Sequence, residues 1–77
     1  MKILIVDDSQ TMRLLQRAAI EQLGHACAGE AINGADALDK AAACAPDLIL
    51  LDLRMPVMDG LTFVKAFRQR DQHTPII

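Results

Sequence analysis

Short aliphatic runs alternate along this chain with longer stretches in which apolar residues return every three or four positions. The first run, Ile3-Leu4-Ile5-Val6, lies within Lys2 to Asp7 and is largely β-branched. That pattern predicts a strand buried on both faces, and the polar break after it excludes a helix. Ser9 is a good N-cap for a helix running to about Leu23. Met12, Leu15, Ala19 and Leu23 recur at helical spacing as its expected buried stripe, and Gly24 stands where a helix-terminating glycine belongs.

His25 to Ala31 reads as a weaker strand, rich in Ala and containing Gly29, suited to a sheet edge. Asn33-Gly34 punctuates the chain. Asn33 is the expected cap of a second helix to about Cys44, with Asp36 near the capping-partner position. Ala37, Leu38, Ala41 and Ala45 are available for burial there, and Pro46 ends the helix. Asp47 to Leu53 is a second strongly aliphatic strand. A loop from Arg54 to Asp59 contains Pro56, expected to fix the path of the chain. Asp59 caps a third helix, Gly60 to about Gln69, with Val64 and Phe67 inward beside Leu61 or Phe63. Thr74-Pro75-Ile76-Ile77 reads as the start of another strand.

Strands alternating with helices imply βαβ units, a parallel sheet and right-handed crossovers. The expected fold is α/β, a doubly wound parallel sheet in the order β1-α1-β2-α2-β3-α3 with the start of β4. Sites in such sheets form where the carboxyl ends of strands meet the following loops.

Composition narrows the picture. The 77 residues suffice for one small domain, and 52% of them are apolar, which excludes a disordered chain. Without Trp or Tyr and with two Phe, aliphatic residues and Ala must build the core. Cys27 and Cys44 read as small apolar fillers, reduced in a cytoplasmic protein. The net charge of −2 and the lack of a basic stretch argue against nucleic acid as a partner. Arg13 and Arg17 read as a solvated helix face. No apolar run is long enough to span a membrane, and the acids after Val6 exclude a signal peptide. His25 and His73 lack metal-ligand spacing and read as surface or strand-end residues.

The acids carry the chemistry. One aliphatic strand ends in Asp7-Asp8, the other in Asp52. Parallel neighbouring strands would bring all three carboxylates to one edge. Three anions so placed require protonation or a cation. Mg²⁺ suits such a site, because it binds through one or two carboxylates and keeps waters for a phosphate oxygen. Against this stands the plainer reading, in which an Asp at a strand end caps a helix or closes a turn.

Ile3-Leu4-Ile5-Val6-Asp7-Asp8-Ser9 resembles the opening of receiver domains of two-component response regulators. Asp47-Leu48-Ile49-Leu50-Leu51-Asp52-Leu53-Arg54-Met55-Pro56-Val57-Met58-Asp59-Gly60 is similar to the family's phosphoacceptor segment. Asp7-Asp8-Ser9-Gln10-Thr11-Met12-Arg13 also resembles the chemotaxis-type, single-domain members. The resemblance covers essentially all of residues 1–77 and implies a flavodoxin-like fold. It implies that Asp52 takes a phosphoryl group from a histidine kinase. Asp8 and Asp52 would bind Mg²⁺ directly, the backbone carbonyl of Arg54 would be a third protein ligand, and Asp7 would position the metal through water. The Arg54 side chain reads either as a guard over the site or as a solvated group.

The same resemblance implies a chain that continues through a fourth and fifth strand and helix. On this reading the 77 residues are the N-terminal part of a receiver domain. The nucleophile and most of the Mg²⁺ shell are present, whereas the family's later Ser or Thr and Lys have no counterpart. An almost unpaired aliphatic edge on the third strand and bare sheet surface beside the first helix predict self-association, or a place in a longer protein. Three other functions compete with the phosphoacceptor. A phosphatase of the haloacid-dehalogenase type would carry a second acid where Arg54 stands, so the chain is not expected to be an enzyme. A dinucleotide-binding module would have glycines where Asp7 and Asp8 follow the first strand. A receiver-fold fragment without signalling activity is the remaining rival.

Overall fold

A computed structural model describes residues 1–55 and 57–77, so the expectation for Pro56 lies outside the described residues. Among the described residues, three strands, β1 (Lys2–Val6), β2 (Ala26–Ala31) and β3 (Leu48–Leu51), alternate with three helices, α1 (Gln10–Gln22), α2 (Gly34–Cys44) and α3 (Gly60–Arg68). The strands form one parallel sheet in the order β2-β1-β3. As its Ala- and Gly-rich composition suggests, β2 is an edge strand. It also bulges, so that Ile3 pairs with Cys27 but Leu4 with Gly29.

Alternation along the strands sends their apolar side chains to two cores. Leu4, Val6, Ala31 and Ile49 point to the face covered by Ala37 and Ala41 of α2 and by Phe63 and Phe67 of α3. The two phenylalanine rings stack with centroids 5.5 Å apart. Ile3 and Ile5 point the other way and meet Ile20 of α1, with Cys27, Leu48 and Leu50 packed around them. Helices on both faces of a parallel sheet make the fold the doubly wound, flavodoxin-like α/β class expected from the sequence.

The helix starts follow the local capping chemistry. Ser9 Oγ accepts from the Met12 amide, Asn33 Oδ1 from the Asp36 amide and Asp59 Oδ1 from the Thr62 amide. The Asp36 carboxylate reaches back to the Ile32 amide, one residue short of the cap itself. Gly24 follows α1 with a left-handed φ of 87°, which costs glycine nothing.

Several packing expectations are corrected. The α1 stripe of Met12, Leu15, Ala19 and Leu23 faces away from the sheet, with Met12, Leu15 and Leu23 44%, 61% and 75% exposed. Ile20 is the buried residue of α1, and Arg13 and Gln16 share its side of the helix. Arg13 is therefore not part of a solvated face: its side chain is 13% exposed, against 49% for Arg17. Ala45 is exposed as the left-handed C-cap of α2 rather than buried in it. In α3, Phe63 and Phe67 are buried, Val64 is half-buried and Leu61 is exposed. The outer edge of β3 is partly paired, as the expected start of a fourth strand implies. The Ile49 and Leu51 amides donate to the Pro75 and Ile77 carbonyls and the Ile77 amide donates to the Ile49 carbonyl, each at 2.9 Å. Residues 75–77 thus begin a fourth strand beside β3.

Candidate functional site

Strand register builds the site. Ile3 to Val6 pair in parallel with Leu48 to Leu51, so Asp7 and Asp52 are the next residues on adjacent strands. The Asp52 amide completes the ladder by donating to the Val6 carbonyl at 2.9 Å, and the Asp7 amide donates to the Ala31 carbonyl at 3.0 Å. Asp8 follows in the turn into α1. One carboxylate oxygen from each of Asp7, Asp8 and Asp52 lies within 4.8 Å of the others. The three acids are graded in exposure: Asp7 is buried at 5%, Asp52 half-buried and Asp8 exposed.

Backbone donors orient two of the carboxylates. The Ser9 amide donates to Asp7 Oδ1 at 2.9 Å, and the Arg54 amide to Asp52 Oδ1 at 3.0 Å. Each bond uses one oxygen and leaves the other free for a ligand. The Arg54 side chain is exposed. Gly60 closes the loop, its amide donating to the Leu53 carbonyl at 3.2 Å. A β-carbon at Gly60 would lie 2.6 Å from Leu53 Cα, so glycine is required for this approach.

A hard divalent cation fits this donor set. Oxygens around Mg²⁺ at about 2.0–2.1 Å stand roughly 3 Å apart when adjacent and about 4.2 Å when opposite. The three carboxylate oxygens lie within 4.8 Å of one another, close enough to reach one cation directly or through its waters. All three donors are carboxylates, a donor type suited to Mg²⁺ and Ca²⁺ rather than to a thiolate-seeking metal. Their mutual repulsion also gives a cation a direct electrostatic role.

Sequence reasoning singled out Asp7, Asp8 and Asp52, and the fold brings them together. It missed Arg13. The Arg13 guanidinium donates from Nη1 to the Asp7 carbonyl at 2.8 Å and from Nε to Glu30 Oε1 at 3.1 Å. Only the β1–β2 pairing places Glu30 there, so no local pattern could have announced it. Cys27 and Cys44 are both free and half-buried. Burial pushes the Cys27 thiol up, in keeping with an inert filler. His25 takes a 3.1 Å contact with the N-terminal amine at the opposite end of β1 from the acids.

The family model described as "Response regulator receiver domain" matches residues 3–77. Among curated relatives, the chemotaxis protein CheY of Bacillus subtilis is 41% identical over 76 residues, covering 99% of this chain and 63% of its own length. A protein-glutamate methylesterase/protein-glutamine glutaminase of Methanosarcina mazei is 47% identical over 75 residues, covering 96% of this chain but 21% of the relative. Among solved structures, the response regulator protein TrrA of Thermotoga maritima in complex with Mg²⁺-BeF superposes with a TM-score of 0.91 at 32% identity, over 97% of this chain and 64% of that one. The matched segment is thus shared by short regulators and by part of a longer enzyme, and it spans less than two thirds of each.

Proposed function

Because this chain belongs to the family of response regulator receiver domains, we propose that Asp52 is the phosphoacceptor of a two-component relay, charged by a histidine kinase with Mg²⁺. The observation that carries this reading is the approach of Asp7, Asp8 and Asp52 to within 4.8 Å at the carboxyl edge of the sheet. A lone strand-end aspartate serves as a cap or turn residue, but three converging ones are poorly explained in that way.

An oxygen of the Asp52 carboxylate attacks phosphorus while the bond from phosphorus to the histidine nitrogen of the kinase breaks. The products are an aspartyl phosphate and the kinase histidine, whose ring leaves as neutral imidazole by taking up a proton from water. Asp8 and Asp52 would hold Mg²⁺ directly, with the Arg54 carbonyl as a third protein ligand and Asp7 acting through water. Bound there, Mg²⁺ would supply charge neutralisation for the incoming phosphoryl oxygens. The bond from the Arg54 amide keeps the Asp52 carboxylate aimed, so the protein contributes mainly positioning and electrostatics. No described helix is long and apolar enough to cross a membrane, and a cytoplasmic setting accompanies this reading.

The test is incubation with Mg²⁺ and acetyl phosphate, followed by intact mass. A single base-labile phosphate is expected, absent when Mg²⁺ is chelated and absent in Asp52→Asn. A folded wild type without an adduct would favour an inert receiver-fold fragment. An adduct that survives Asp52→Asn would place the acceptor elsewhere.

Self-association is a second reading. It is supported by the outward face of α1, where Met12, Leu14, Leu15 and Leu23 are exposed, more than by β3, whose edge residues 75–77 begin to cover. Light scattering of the dilute 77-residue chain should show more than the monomer mass. A stable, folded monomer would exclude this reading.

A further inference from the structure

The geometry points to Arg13 as a positioning residue for the metal site, acting on the backbone of Asp7 rather than on any ligand oxygen. This inference rests on the Asp7–Asp8–Asp52 reading above. Asp7 is held at three points around its peptide unit: its amide by Ala31, its carbonyl by Arg13 Nη1 at 2.8 Å, and its Oδ1 by the Ser9 amide. Ala31 and Ser9 are contacts that strand pairing and the turn would supply in any case. The Arg13 contact comes from a side chain on α1, and it fixes the carbonyl of the peptide that joins Asp7 to Asp8.

The guanidinium is itself anchored. Nε donates to Glu30 Oε1 at 3.1 Å, and the other Glu30 oxygen accepts from Arg17 Nη1 at 3.2 Å. The Glu30 carbonyl accepts from Lys40 Nζ at 2.6 Å, and Lys40 also pairs with Asp36 at 3.4 Å. Arg13 is the most enclosed of these cations, with 13% of its side chain exposed. Its planar fork reaches two acceptors on different strands, which an ammonium on a flexible stem does not reproduce. A rotation of the 7–8 peptide would swing both carboxylates, one in each direction along the chain. Arg13 therefore couples the orientation of two metal-binding residues to α1 and β2.

Charge and position make opposite demands here, and that makes the inference testable. A guanidinium bound to the Asp7 carbonyl adds positive charge next to the cluster, so removing its charge alone would tighten Mg²⁺ binding. Removing a positioning contact weakens it, by roughly 10- to 100-fold for groups that orient metal ligands. Mg²⁺ affinity of the full chain is measured by calorimetry and by the amide shifts of residues 7, 8 and 52, without any phosphodonor. We expect Arg13→Ala and Arg13→Lys to weaken Mg²⁺ binding about tenfold or more. Arg17→Ala, which loses only the outer contact to Glu30, should stay within about twofold. Denaturant titration identifies conditions in which each variant is folded, and Glu30→Gln, which loosens the anchor while keeping an acceptor, should weaken binding several-fold even where Arg13→Ala does not fold. Tighter binding in Arg13→Ala, or unchanged affinity in the folded Arg13 variants, overturns the inference. A folded wild type that takes up no Mg²⁺ overturns the functional reading and this inference with it. Normal wild-type binding with unaffected variants overturns this inference alone.

Discussion

The Gly34 amide donates to the Met58 carbonyl at 3.1 Å, and a β-carbon on Gly34 would lie 2.7 Å from that same oxygen. The first turn of α2 thus rests directly on the loop between β3 and α3, in which Arg54 follows Asp52. Met58 Cγ would also lie 2.7 Å from the added carbon, and the backbone oxygen cannot rotate away. Gly34→Ala should cost about 1–3 kcal/mol, the usual range for overpacking. Urea unfolding measures it, and an unchanged midpoint would show that the loop yields easily.

Val57 occupies the same loop with φ of 69° and is 85% exposed. A β-branched side chain in the left-handed region is strained by roughly 1–2 kcal/mol. Its exposure leaves little packing to lose. Val57→Asn should therefore raise stability by about 1 kcal/mol. Val57→Gly should gain less, because glycine adds freedom to the unfolded chain. Thermal melts of the two variants decide the order.

The carboxylate cluster should oppose folding when no cation is present. Asp8→Asn removes one of three converging charges from an exposed position, so the metal-free variant should melt at or above the wild type. Ligand linkage works the other way. Mg²⁺ at about 100 times its dissociation constant should stabilise the wild type by roughly 2.7 kcal/mol. Asp8→Asn should lose most of that response. Melts with and without Mg²⁺ read both effects, and a wild type indifferent to Mg²⁺ would contradict the site.

Asp71 gives a pH dependence. The Thr74 hydroxyl donates to its carboxylate, as do the amides of Thr74 and His73, and they lower its pKa from 3.8 to about 2. Between those values the unfolded chain holds the proton that the folded chain has released, so stability rises with pH across that window. The contribution is complete above pH 4 or so and is lost as pH falls towards about 2. Asp71→Asn should flatten this acid limb of the stability profile, as measured by urea midpoints across the window. An unchanged slope would mean that other carboxylates dominate it.

Much of this protein is written locally. Four aliphatics at Ile3–Val6 and four at Leu48–Leu51 form strands because continuous aliphatic runs suit a parallel sheet covered on both faces. Ser9, Asn33 and Asp59 start helices through bonds to amides three residues away, and such contacts need no tertiary partner. The acids after β1 and β3 were legible for the same reason, since strand ends and their residue types lie in the linear pattern. Tertiary structure decided which helix faces are inside. Met12, Leu15, Ala19 and Leu23 make as good an apolar stripe as the one containing Ile20. The sheet instead receives the side of α1 on which Arg13 finds Glu30 and the Asp7 carbonyl. A largely enclosed guanidinium is tolerable only when such partners meet it, and those partners come from β2 and the end of β1. The sequence by itself thus determined which acids are the candidates for chemistry and roughly where each element begins. Pairing of distant strands decided that the carboxylates of Asp7, Asp8 and Asp52 converge and that Arg13 holds the Asp7 carbonyl, because those contacts exist only once the strands lie side by side.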